Sequence, residues 1–192
     1  KDREGITGIK YISFMNIRVA HEKKGCAEKI LPFLKDGESI YNTLLVSKPG
    51  AGKTTCLRDC IRSLSNGKEG WEGMKICVVD ERSEIAACHL GIPQNDMGIR
   101  TDVLSGCGKS EGMMLMLRSM SPQIIAVDEL GGKKDFQAVE QAACSGVRIL
   151  GTVHADTVEE LWEKPYLKKW MKRGIFERFI LIRHNRSGER GF

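Results

Sequence analysis

Lys53 and Thr54 close a glycine-rich stretch, Ser47-Lys48-Pro49-Gly50-Ala51-Gly52-Lys53-Thr54-Thr55, whose residue types suit the holding of phosphate groups. Glycines let backbone N–H groups converge on phosphate oxygens without Cβ clashes. A helix starting at the lysine would point its positive dipole end at the same anion. Lys53 would reach the β- and γ-phosphates of a nucleotide, and Thr54 would offer its hydroxyl to Mg²⁺. Pro49, Gly50, Ala51, Gly52, Lys53, Thr54 and Thr55 are the expected nucleotide contacts. The motif calls for glycine where this chain has Ser47, so weaker phosphate binding is an expectation.

Acids follow two other apolar runs. Ile124-Ile125-Ala126-Val127 ends in Asp128-Glu129, the Walker B pattern downstream of a P-loop. Asp128 would hold Mg²⁺ through water, and Glu129 would orient and deprotonate the attacking water. Ile76-Cys77-Val78-Val79 ends in Asp80-Glu81, which makes Glu81 the competing base and Asp80 either functional or a cap. The run Val147–Val153 is tipped by His154, a candidate sensor of the γ-phosphate or a structural histidine. The candidate catalytic residues are therefore Lys53, Glu81, Glu129 and His154, and the candidate metal ligands Thr54 and Asp128.

Buried strands and intervening helices must position these groups. Thr43-Leu44-Leu45-Val46 reads as the strand before the glycine turn, and Leu57 and Ile61 lie on one face of the helix after it. Residues 91–109, rich in Gly, Pro, Asn and Asp, read as one long loop. A helix follows from Ser110, its Met113, Met114, Met116 and Met120 expected in the core, and Ser121-Pro122 ends it. Gly131-Gly132-Lys133-Lys134 reads as a mobile basic loop before a helix carrying Phe136, Val139, Ala142 and Ala143. Residues 157–173 read as helical pieces split at Pro165, with Leu167, Trp170 and Met171 inward. Phe179–Ile182 is a last strand, and Ser187-Gly188 a turn opening a hairpin. In residues 1–40, Ile12, Phe14, Ile17 and Val19 suggest an extended segment. His21–Gly25 reads as a turn, and Ala27, Ile30, Leu31 and Leu34 have helix-like spacing. The expected division is 1–40 as an N-terminal linker or partial subdomain and 41–192 as the nucleotide-binding domain.

The chain has 192 residues, enough for one domain with a sizeable core. Its net charge of +5 permits anionic partners without demanding nucleic acid. No run approaches membrane-spanning length, no signal-peptide pattern appears, and a start at Lys1 suggests a fragment. The seven cysteines include no Cys-x-x-Cys pair and read as small residues of a reducing compartment; a zinc site through Cys88-His89 or Cys107 has poor spacing.

SKPGAGKTT, CVVDERSE, LMLRSMSP with IIAVDEL, and GTVHADTVEEL together resemble the P-loop, acidic, Walker B and histidine boxes of secretion ATPases. These ATPases are a branch of the RecA-like P-loop ATPases that powers type II and type IV secretion and pilus machines. Within that branch, NIRVAHEKKG, VVDERSEIA, GIRTDVLSGC and EGMMLMLRSMSPQIIAVDE look most like the stage III sporulation protein AA family. The resemblance implies an α/β RecA-like (ASCE) fold, a central mostly parallel sheet flanked by helices, with a short N-terminal extension. It also implies ATP and Mg²⁺ as ligands and ATP hydrolysis driving a channel complex between mother cell and forespore. The protein would lie in the mother-cell cytoplasm, at a membrane reached through embedded sporulation channel proteins. A homo-oligomeric ring, expected to be hexameric, is implied too, with no specific nucleic acid. Asp128 stands where the broader branch often has glycine, and Gly131-Gly132 where it often has arginine. Arg82, Arg100 and Arg118 are candidates for an arginine acting on a neighbour's site. The competing readings are an ABC-type ATPase, for which the chain around Leu104–Gly108 is too short, a RecA-like nucleic-acid motor, and an ATP-binding scaffold with little turnover.

Overall fold

The computed structural model describes residues 11–15, 22–184, 190 and 191. Helix α1 (Leu31–Leu34) leads into a hairpin of β1 (Lys35–Asp36) and β2 (Ser39–Ile40). The domain then runs β3 (Thr43–Ser47), α2 (Lys53–Asn66), β4 (Ile76–Asp80), β5 (Thr101–Ser105), α3 (Lys109–Met120) and β6 (Ile124–Val127). It continues with α4 (Lys133–Cys144), β7 (Arg148–His154), a 3₁₀ turn at Glu159–Trp162, α5 (Pro165–Arg173) and β8 (Arg178–Leu181). The short strands β9 (Arg183–His184) and β10 (Arg190–Gly191) pair antiparallel; the expected turn at Ser187-Gly188 between them lies outside the described residues.

Six strands form one sheet in the order β5-β4-β6-β7-β3-β8, and every pairing in it is parallel. Parallel pairing requires crossovers that cover both faces, so the strands read as continuous apolar runs. Alternate residues feed opposite layers. Leu45, Val78 and Ala126 pack with Leu57 and Ile61 of α2, and Leu44, Val79 and Val127 pack with Met113 of α3, Val139 of α4 and Trp170 of α5. Ala27, Ile30, Leu31 and Leu34 belong to the same buried cluster as α2. Parallel strands also end together: Ser47, Asp80, Val127 and His154 all lie at one edge, and β7 separates β3 from β6. That edge is where an open α/β sheet binds ligands.

Two expectations about loops give way. Thr101–Ser105 is a strand, not part of a loop; it is the half-buried edge of the sheet, so it lacks the apolar run of a central strand. Lys133 and Lys134 form the first turn of α4 rather than a loop, because the Asp135 carboxylate accepts the Gly131 and Gly132 amides and caps the helix. Tyr11–Met15 has no regular structure, and Ile17, Val19 and His21 lie outside the described residues. Among the described residues no helix is long and apolar enough to cross a membrane. Nor do they contain a group of His, Cys, Asp or Glu side chains arranged like a zinc site, at Cys88, His89 and Cys107 or elsewhere.

Candidate active site

The glycine-rich loop leaves β3 at Ser47 and enters α2 at Lys53. Its left-handed turns fall on Gly50 (φ 77°) and Gly52 (φ 88°), conformations that glycine takes without a Cβ penalty. Ser47 takes no left-handed turn. It is the last residue of β3, paired in register with His154, 1% exposed, and its hydroxyl donates to the Lys48 carbonyl at 2.9 Å. A cavity of about 450 Å³ opens beside the loop, lined by Lys48, Pro49, Gly50 and Ala51 on one side and Leu181 and Ile182 on the other.

Lys53 points inward and is only 5% exposed. Burial pushes its pKa down, against the opposing pull of Asp128 and Glu129. Its Nζ lies 2.8 Å from Nδ1 and 3.1 Å from Nε2 of His154. His154 Nε2 lies 2.8 Å from Glu129 Oε1. One tautomer satisfies both neighbours: Nε2–H donates to Glu129 and Nδ1 accepts from Lys53. The other Glu129 oxygen, Oε2, is 3.1 Å from Arg82 Nη1. The His154 hydrogen bond first, and the Arg82 charge with it, hold the Glu129 carboxyl below its ordinary value despite partial burial.

Asp128 is held from both sides. The Thr54 hydroxyl donates to its Oδ2 at 2.7 Å, and the Thr152 hydroxyl donates to its Oδ1. The Glu129 amide donates to Thr152 Oγ1 at 2.9 Å and to Asp128 Oδ1 at 3.1 Å. Glu129 itself takes a left-handed backbone, φ 54°. Thr54 and Asp128 thus present adjacent hard oxygen donors at the start of α2, the donor chemistry that Mg²⁺ takes.

The acids of the second strand are arranged differently. Asp80, 2% exposed, accepts the amides of Glu84, Ile85 and Ala86 at 2.8–3.1 Å and so shapes the turn after β4. Glu81 pairs with Lys109 at 3.0 Å instead of joining the Lys53–His154–Glu129 chain. Of the arginines, Arg82 contacts Glu129 in its own chain. Arg100 precedes β5 at the opposite edge of the sheet, its guanidinium on the Ser65 carbonyl, and Arg118 lies on the exposed side of α3. Sequence reasoning did not single out Thr152. Its signal was a polar residue inside an otherwise apolar strand, two positions before the histidine and therefore on the same strand face.

The sequence profile of the family described as "Sporulation stage III, protein AA" matches residues 1–191. The chain belongs to the sporulation stage III protein AA family. Relatives include "Stage III sporulation protein AA" of Bacillus subtilis (strain 168), 43% identical over 92% of this chain and 57% of the relative. "Uncharacterized protein ycf45" of Cyanidium caldarium is 33% identical over 88% of this chain and 47% of the relative. This member of the sporulation stage III protein AA family thus spans about half the length of those curated relatives. In structure it resembles the Legionella pneumophila ATPase DotB, with TM-score 0.63 and 17% identity over 88% of this chain and 48% of that one. The pilus retraction motor PilT with bound ADP gives TM-score 0.63 and 17% identity over 90% and 52%. The VirB11 ATPase of the Brucella suis type IV secretion system gives 0.55 and 12% over 86% and 48%. At these identities the likeness establishes the fold alone, a six-stranded parallel sheet flanked by helices as in those structures.

Proposed function

We propose that this domain binds ATP with Mg²⁺ and hydrolyses it, and that in the whole protein the cycle drives a secretion-type channel complex in sporulation. The observation that carries the reading is the meeting of Lys53, Thr54, Asp128, Glu129 and His154 at the carboxyl edge of the sheet, beside a glycine turn. The solved structures of similar fold are described as ATPases or motors, one with bound ADP, and a curated relative as a stage III sporulation protein.

The loop amides and the start of α2 would cradle the phosphates, and the neighbouring cavity, of ordinary ligand-pocket size, would receive the nucleoside. Arrival of the γ-phosphate would draw Lys53 away from His154. His154 would then turn its Nε2–H from Glu129 to a γ-phosphate oxygen, leaving the Glu129 carboxylate free to take a proton. Glu129 would accept the proton of the water attacking the γ-phosphorus, as the bond to the ADP oxygen breaks. Thr54 and Asp128 would hold Mg²⁺, which when bound would neutralise charge on the β- and γ-phosphates. The domain would act in a homo-oligomeric ring, a neighbour supplying an arginine. Residues 1–40 would be a linker or partial subdomain packed against this core. The ring would work from the mother-cell cytoplasm through membrane-embedded partners.

Steady-state phosphate release tests the proposal. The assembled protein should hydrolyse ATP in Mg²⁺, and the Lys53→Ala variant should not. Nucleotide binding without turnover in demonstrably assembled wild-type protein would favour the scaffold reading. Stimulation dependent on single-stranded DNA would favour a nucleic-acid motor.

A further inference from the structure

We infer that Thr152 is a positioning residue that sets the orientation of both acids of the Asp128-Glu129 pair through its single hydroxyl. The inference rests on the ATP- and Mg²⁺-binding reading above. It concerns a residue that neither the phosphate loop nor the acidic strand supplies.

A threonine hydroxyl has one proton to give and lone pairs to accept with. Here the proton goes to Asp128 Oδ1, and the oxygen accepts the Glu129 amide at 2.9 Å. Thr152 is fully buried, so water does not compete for either bond. With Oδ1 tied to Thr152 and Oδ2 facing Thr54, the carboxylate is held at both oxygens and presents Oδ2 toward the start of α2. The same hydroxyl anchors Glu129 where its backbone is left-handed, an unfavourable conformation for glutamate that something must hold. That turn aims the Glu129 side chain at His154 and Arg82.

Thr152 and His154 share one strand face, so β7 addresses the pair twice: the threonine holds Asp128 and the Glu129 backbone, and the histidine meets the Glu129 carboxylate. The aspartate at position 128 is what gives the hydroxyl proton its acceptor. A glycine there would leave Thr152 no carboxylate to orient. Groups that orient metal ligands typically govern about 10–100-fold of metal affinity or activity.

The test compares wild type, Thr152→Val, which keeps the shape, and Thr152→Ser, which keeps the hydroxyl. Equal melting midpoints without nucleotide select the variants that are folded; Thr152→Ala replaces Thr152→Val if the latter is not. Binding of a fluorescent ATP analogue is measured in EDTA, and Mn²⁺ affinity of the nucleotide-bound protein by electron paramagnetic resonance. Thr152→Val should bind the analogue in EDTA like wild type and lose about 10–100-fold in Mn²⁺ affinity, with Thr152→Ser restoring it. Unchanged Mn²⁺ affinity in Thr152→Val overturns the inference, as does failure of Thr152→Ser to restore it. Wild type that binds nucleotide and Mn²⁺ but never turns over defeats the hydrolysis reading and leaves the Thr152 result standing. Wild type that binds no nucleotide defeats both.

Discussion

Arg82 and Glu129 form an ion pair within one chain, Nη1 to Oε2 at 3.1 Å, so the arginine after the acidic strand sits on the proposed base of its own site. Arg100 stands at the opposite end of the strands, its guanidinium on the Ser65 carbonyl, away from the Lys53, His154 and Glu129 cluster. Mixing experiments should therefore separate the two. Arg100→Ala mixed with Lys53→Ala should regain ATPase activity, because a Lys53→Ala subunit can lend its Arg100 to a neighbour's intact loop. Arg82→Ala mixed with Lys53→Ala should stay inactive, since neither chain owns a complete site. Recovery in the Arg82 mixture alone would reverse the assignment.

Nucleotide should stabilise the fold through Lys53. At about a hundred times its dissociation constant a ligand adds roughly 2.7 kcal/mol, or about 5–10 °C in melting temperature for a domain of this size. Thermal melts with Mg-ATP should show that shift in wild type and none in Lys53→Ala. Equal shifts in both proteins would remove Lys53 from the site.

Acid should weaken the protein partly through Glu129. Its folded pKa is depressed below the ordinary 4.5, chiefly by the His154 hydrogen bond. The stabilisation is therefore present above the unfolded value and is lost as pH falls through the folded one. In urea titrations, the stability lead of wild type over Glu129→Gln should be full above about pH 4.5 and narrow as pH falls below it. A gap independent of pH would mean that the His154 contact does not favour the carboxylate.

Ser47→Gly restores the residue that the phosphate-loop pattern calls for, yet it should not improve the site. Position 47 belongs to a buried strand, and the turns that need glycine lie at Gly50 and Gly52. The variant should lose about 0.5–1 kcal/mol of stability. ATP affinity by fluorescence titration should stay unchanged, and a clear gain in affinity would show strain at Ser47.

The strands β3, β4, β6 and β7 were legible because burial on both faces makes them continuous apolar runs ending in polar tips. The glycine-rich motif selected Lys53 and Thr54 and the strand tips selected Asp128, Glu129 and His154, which the fold brings together, while Glu81 stays on Lys109. β5 escaped because an edge strand keeps partly exposed polar residues such as Thr101 and Asp102. The start of α4 escaped because its cap comes from Asp135, inside the helix, behind two glycines and two lysines that read as a loop. The bond from Thr152 to Asp128 and the Arg82–Glu129 pair join residues on different strands and loops. Local periodicity carries no record of such contacts; they appear only once strand order sets β7 and the β4 turn beside β6.

The most direct test of the account is parallel measurement of ATP binding and turnover in Glu129→Gln and Glu81→Gln. Glu129 follows the strand whose Asp128 meets Thr54, whereas Glu81 is paired with Lys109. Loss of a general base typically costs about 10²–10⁴ in rate. Glu129→Gln should bind ATP nearly as wild type does and turn over at least about a hundredfold more slowly, while Glu81→Gln keeps most of its activity. A Glu81→Gln protein that is silent, beside a Glu129→Gln protein that still hydrolyses ATP, would contradict the account and move the base to the acidic strand.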